Sequence, residues 1–167
     1  MVRDEAQREP MSDEKAVEVL NKSFLRGRNP SVQLLGGLIV SFDRDAMHMR
    51  MRFEASKSLD NGNGQVMGGF LGSMMDVAVA QLAVILSRLT KTVATLEQKC
   101  SLLTPIRLPR DSDDPVLVFV DATAVKLGRS VAFFEISLAD EAGTLAARAT
   151  QTTMLVDIAQ RKNNPKL

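Results

Sequence analysis

The chemistry this sequence can offer centres on one carboxylate. Asp76 lies inside a stretch, residues 66–86, that is otherwise almost wholly apolar. On a helix, steps of three and four from Asp76 reach Gly69, Gly72, Ser73, Val79, Ala80 and Ala83. All but Val79 are small, and a face of small residues admits a close surface or leaves room for a ligand. An aspartate there is either paired structurally, to a backbone group or an arginine, or poised for chemistry. Gly68 and Gly69 open the same helix after a Gly-rich loop. The first amides of a helix lack internal partners and point outward at its positive end. Glycines let a substrate carbonyl come close, which is the geometry an oxyanion hole needs. The plainer alternative is a flexible helix start.

Other reactive groups are few. The single cysteine, Cys100, excludes an internal disulfide and suits a reducing compartment, so a cytoplasmic protein is expected. The only histidine, His48, falls on a different expected strand, so a Cys–His nucleophile pair is not supported, and Cys100 reads as a small hydrophobe in a strand. No metal or cofactor is called for. With 21 basic and 20 acidic residues and no Trp or Tyr, nothing points to nucleic acid as a partner. The first ten residues are polar and lack the apolar core of a secretion signal. Residues 66–86 approach membrane-spanning length, but Asp76 at the centre would cost on the order of 3 kcal/mol on insertion scales. A helix apolar nearly all round is otherwise the core of a folded domain, and no membrane association is expected.

Elements must position these groups. Residues 1–11 are expected to be disordered. A helix follows, capped by Ser12 or Asp13, with Val17, Leu20 and Phe24 on one stripe, and stopped by Gly27 and Asn29–Pro30. Residues 32–42 read as a strand, with Gly36–Gly37 a bulge or close approach. After a turn at residues 43–45, Met47, Met49, Met51 and Phe53 alternate with Ala46, His48, Arg50, Arg52 and Glu54, a half-buried strand closing a hairpin. A loop over 55–65 leads to the apolar helix, about 68–89. Strands are expected at 92–103, 116–126, 130–139 and 144–156, joined by short turns, with a polar tail from Asp157. Consecutive hairpins give an antiparallel sheet, and a helix too apolar to face water must be wrapped by it. The class is α+β: residues 1–30 form a tail and helix, 31–156 one domain, and 157–167 a tail.

The order Asn61-x-x-Gly64-x-x-Met67-Gly68-Gly69, then Met74–Met75–Asp76, resembles the signature of hotdog-fold acyl-CoA thioesterases of the phenylacetate-pathway (PaaI-like) group. Leu102–Leu103–Thr104–Pro105, Leu127–Gly128–Arg129–Ser130 and residues 140–147 resemble later landmarks of that group, so the likeness spans about 30–156. It implies an antiparallel sheet wrapped around one long central helix. It implies that Asp76 is the general base or nucleophile, that the Gly69 amide, with Gly68, holds the oxyanion, and that Asn61 orients the carbonyl or the water. Thr95 falls where relatives place a hydroxyl that positions water. Arg129 would lie near the CoA phosphates, where a planar guanidinium suits phosphate oxygens; Arg107 and Arg110 are further candidates, with surface solvation as their plainer role. The site of such proteins lies between subunits, so a homodimer is implied, often paired again into a homotetramer.

One position departs from the group: Met67 stands where its members usually carry histidine. A thioether cannot donate a hydrogen bond or hold charge, though it gives the substrate pocket an adaptable apolar contact. Two functions follow, hydrolysis of an acyl-CoA thioester or non-catalytic acyl-CoA binding on the same fold. Asp76 favours the first and Met67 the second. A hydratase would need an Asp–His pair, and His48 is poorly placed for one.

Overall fold

A computed structural model describes residues 11–158; the expected disorder before residue 11 and fraying of the tail lie almost wholly outside this range. Helix α1 (Asp13–Leu25) starts where Ser12 accepts the Lys15 amide at 3.3 Å, with Asp13 and Glu14 in its first turn. Ala16 and Phe24 are buried, and Val17 and Leu20 pack beside them. Asn21 ties the helix to the sheet by exchanging two hydrogen bonds with the backbone of Ile39, at 2.9 and 3.0 Å.

The expected strand over residues 32–42 is wrong in its first half. Residues Pro30–Leu34 form a short helix, α2, capped by Asn29, and Val32 is fully buried. Asn–Pro is a good stop, but Asn at N-cap followed by Pro at the first helical position is an equally good start, and here it serves as one. Gly36 takes a positive φ of 63° and lies against Glu54, where a Cβ would sit 2.7 Å from the Glu54 Cβ. The strand proper, β1, is Leu38–Asp43. Met47 belongs to the turn, at φ 49°, so β2 is His48–Ala55 with Met49, Met51, Phe53 and Ala55 buried.

Helix α3 (Gly68–Leu86) ends three residues earlier than expected, because Arg88 and Leu89 turn left-handed. Strands β3 (Lys91–Leu102), β4 (Val116–Leu127), β5 (Val131–Asp140) and β6 (Leu145–Asp157) complete one antiparallel sheet in the order β1-β2-β4-β5-β6-β3. Pairing by consecutive hairpins therefore fails at one point: β3 leaves β4 and pairs with β6 at the far edge. The segment between β3 and β4 is a crossing rather than a turn. It pairs with the loop before α3 (Val66 N–H to Ile106 O, Leu108 N–H to Gly64 O) and buries Ile106 and Leu108. Strands β2 to β6 curve around α3, whose Met74, Met75, Ala78, Val79, Leu82, Ala83 and Ile85 are fully buried. The helix is long and apolar enough to cross a membrane, yet here it is the core that the sheet encloses.

Arg44 locks the far end of α3. Its guanidinium donates to the carbonyls of Ile85 and Leu86 at 3.0 and 3.2 Å and grips the Asp13 carboxylate at 2.5–3.0 Å. These bonds hold the Asp13 carboxyl below its ordinary 3.8. A depressed folded value means stabilisation that is present above the unfolded value and lost as pH falls through the folded one. Protection of α1 amides, taken relative to the intrinsic exchange rate at each pH, should therefore fall below about pH 4, and Asp13→Asn should show the reduced protection at neutral pH and flatten this dependence. Hydrogen exchange against pH checks it; a wild-type profile in the variant counts against the Arg44 clasp.

Candidate active site

The open face of α3 meets β3 in a cleft of about 480 Å³. The helix brings Gly68, Gly69, Gly72, Ser73 and Asp76, and the strand brings Thr95, Gln98, Cys100 and Leu102. Val79 and Ala83, expected on the same face as Asp76, turn instead into the core. The helix and strand run in opposite directions, so Asp76 stands beside Thr95, Gly72 beside Gln98, and Gly68 beside Leu102. A Cβ on Gly68 would displace the end of the Leu102 side chain, which is half-exposed and free to move.

Thr95 donates its hydroxyl proton to Asp76 Oδ1 at 2.5 Å. Gln151, on β6, donates from Nε2 to the same oxygen at 2.7 Å and to Thr95 Oγ1 at 3.0 Å. Among the described residues no donor reaches Asp76 Oδ2, and no basic side chain pairs with Asp76. The arginine pair and the backbone cap, both open from sequence, are thus not what holds it. One carboxylate oxygen is fixed, and the other is left to accept a proton.

The start of α3 has no side-chain cap. Met67, at the N-cap, commits its own amide to Leu59 O at 2.8 Å and leaves its side chain 46% exposed at the mouth of the cleft. The amides of Gly68 and Gly69 are first-turn donors with no intrahelical acceptor. The cleft thus joins a carboxylate to the positive end of a helix.

The other residues singled out from sequence stand apart in the single chain. Asn61 lies outside the cleft, with its Oδ1 accepting the Asn63 amide at 2.9 Å to hold the loop. Arg129 is exposed in the β4–β5 turn, its carbonyl accepting from Lys91 Nζ at 2.6 Å, near the end of β3 opposite Leu102. Arg107 and Arg110 are exposed. His48 lies on the other face of the sheet, 3.1 Å from Asp121. From His48 the ladder runs through Thr123, Glu135 and Thr150 to Lys99, four strand spacings, or about 19 Å. No Cys100–His48 pair forms. Cys100 is exposed on β3, and partial desolvation by its neighbours pushes its thiol up from its ordinary 9.0. Iodoacetamide should therefore label Cys100 slowly at pH 7 and faster only in alkali, and labelling should block the cleft. Rapid labelling at pH 7, followed by mass spectrometry, would contradict this.

Two residues of the site were missed from sequence, Gln98 and Gln151. The signal for Gln151 was its inner-face position in the alternation Ala147, Ala149, Gln151, Thr153, Leu155, where a polar side chain needs a partner. The signal for Gln98 was masked by a bulge between Thr95 and Glu97, which puts residues three apart on the same face.

The outer face of the sheet has a larger hollow, about 560 Å³, lined by Asp121, Glu135, Arg148 and other polar residues. Asp121 is spent there on His48 and Arg50, at 3.1 and 3.7 Å, and among the described residues no helix terminus lines it. Volume favours that hollow; the grouping of a half-free carboxylate with unpartnered amides favours the smaller cleft.

Residues 63–147 match the family model of the thioesterase superfamily, and the chain belongs to that superfamily. Its antiparallel sheet around a central helix is the hotdog fold expected from the sequence, and its likeness runs to the PaaI-like group. The chain is 29% identical to a putative thioesterase, a phenylacetic acid degradation-related protein from Ralstonia eutropha, over 80% of this chain and 97% of that one, with a TM-score of 0.68. The PaaI protein of the Escherichia coli phenylacetic acid degradation operon superposes at a TM-score of 0.70 with 15% identity, covering 87% and 96% of the two chains. A hypothetical thioesterase from Streptococcus pneumoniae, crystallised with coenzyme A, gives 0.65 with 18% identity over 81% and 96%. No curated protein matches the sequence.

Proposed function

We propose that this chain hydrolyses an acyl-CoA thioester to the free acid and CoA, as a cytoplasmic enzyme. The observation that carries the reading is the half-held carboxylate of Asp76 in one cleft with the open amides of α3. Water attacks the thioester carbon and gives a proton to Asp76 Oδ2. The carbonyl oxygen gains the negative charge, and the Gly69 amide, with Gly68, stabilises it. The intermediate collapses as the C–S bond breaks, and the thiolate takes up the proton from Asp76. Thr95 has only one hydroxyl proton, and it goes to Asp76; its role is to hold the base rather than to donate to substrate. The coenzyme A in the pneumococcal neighbour supports the class of ligand.

Asn61 and Arg129 reach substrate in this reading across a dimer. Strand β3 is a sheet edge with Leu96 56% and Leu102 55% exposed, and such an edge invites pairing with a second strand. A homodimer through β3 would set the loop of Asn61 or the turn of Arg129 from one subunit against the cleft of the other, Arg129 facing the CoA phosphates. Light scattering at micromolar concentration should give a dimer or tetramer; a monomer would sink the shared site.

A second reading, acyl-CoA binding without turnover, is favoured by Met67, whose thioether cannot polarise a carbonyl. A thiol-release assay over an acyl-CoA panel separates the two. Release abolished by Asp76→Ala supports hydrolysis. Thioester binding with no release supports the binding protein.

A further inference from the structure

Gln151 is a buried polar side chain beside the cleft, 3% exposed, and it does not line the cleft itself. Its two ends are both committed. Nε2 donates to Asp76 Oδ1 and Thr95 Oγ1, with Thr153 Oγ1 a longer third partner at 3.3 Å. Oε1 accepts from Gln98 Nε2 at 3.0 Å. Gln98 Nε2 also donates to the carbonyl of Gly72 at 3.2 Å.

The direction of this chain of amides is fixed at one end by the backbone. A carbonyl oxygen can only accept, so Gln98 must turn its NH2 towards Gly72. The same NH2 then faces Gln151, which must answer with its Oε1. That leaves the NH2 of Gln151 for Asp76 and Thr95. A reversed Gln151 would set its oxygen against the carboxylate. We propose that Gln151, oriented by Gln98 and the Gly72 carbonyl, is a positioning residue for thioester hydrolysis: it holds the Asp76 side chain turned so that Oδ2 faces the attacking water. This rests on the hydrolytic reading above.

The surroundings leave the role to these amides. Among the described residues, no charged side chain other than Asp76 lines the cleft. Cys100 is the one other titratable group there, and its thiol is pushed up, away from the acid range. The strands β2, β4 and β5 face α3 with apolar residues such as Met51, Val120 and Phe134. Arg44 and Asp13 sit at the far end of the helix.

The test is the pH dependence of kcat and KM for wild type, Gln151→Met, Gln151→Glu and Gln98→Met, with melting of each. Gln151→Met keeps the volume and removes the donor. It should lower kcat about tenfold, the loss of one hydrogen bond to a charged group, leave KM within about twofold, and move the acid limb of kcat/KM to higher pH. Gln151→Glu places a second carboxylate against Asp76, so the two ionise in turn and the acid limb should rise by at least about one pH unit. Gln98→Met should act in the same direction as Gln151→Met, more weakly. A purely structural role would lower the melting temperature and leave the acid limb of the folded fraction in place, which overturns the proposal. So does a wild-type kcat in Gln151→Met while Asp76→Asn is inactive, a result that leaves hydrolysis standing. A wild type that hydrolyses nothing overturns both.

Discussion

Asp76→Asn is expected to lower kcat at least about a hundredfold, as loss of a general base does, and to leave the fold intact. The asparagine oxygen can still accept from Thr95 and Gln151, as Asp76 Oδ1 does at 2.5 and 2.7 Å. Only the second oxygen is replaced, by an amide nitrogen that cannot take a proton from water. The variant therefore removes the base while keeping its mount. Asp76→Ala differs in a useful way: it takes one acceptor from the buried NH2 of Gln151, which keeps Thr95 and Thr153, and should cost about 1 kcal/mol of stability besides. If Asp76 served only to tie α3 to β3 and β6, the asparagine variant would keep full turnover per folded molecule and the alanine variant would lose activity only as it unfolds. Melting and kinetics on the same preparations decide between the two.

How much of this was legible in the sequence depended on how locally each feature is encoded. Gly68, Gly69 and Asp76 lie on one helix within three turns, so spacing alone puts them on a common side. The structure adds that Val79 and Ala83 do not share it. The buried helix and most strand bounds follow from apolar period, which is also local. The partner of β3 is not: turn residues report which consecutive strands can close a hairpin, whereas the pairing of β3 with β6 depends on a crossing segment pinned by Ile106 and Leu108 to the loop before α3. That pairing brings Gln151 to Asp76 across 75 residues. The bulge after Thr95 hid Gln98 for a related reason, since a strict two-residue period would place Thr95 and Gln98 on opposite faces. At residues 29–30 the ambiguity was chemical. Asn–Pro carries the signs of both a helix stop and a helix start, and only the burial of Val32 decides.

The amide of Gly69 can be tested without altering any side chain of the cleft. It is the second residue of α3, where the N–H has no intrahelical acceptor, so a proline there removes a donor that the helix does not use. A Cβ at Gly69 would meet only the Met67 thioether end, at an ordinary 3.5 Å; the proline Cδ takes the place of the amide hydrogen. The residue before a proline is pushed out of helical conformation, but that residue is Gly68, the least restricted type, at the first position of the helix. Gly69→Pro is therefore expected to fold and to lose about a hundredfold or more in kcat, the usual effect of deleting one oxyanion donor. Gly69→Ala is the control: it adds the same Cβ, keeps the N–H, and should remain within a few fold of wild type. Equal activity in the two variants would mean that the oxyanion is held elsewhere. An equal loss in both would mean that the space above Gly69, rather than its amide, is what the substrate needs. A loss confined to proline and to kcat, with KM unchanged so that the ring Cδ does not exclude the substrate, assigns the charge developed in the reaction to the N-terminus of α3, and it would also show that Met67 in place of histidine leaves that electrostatic contribution in force.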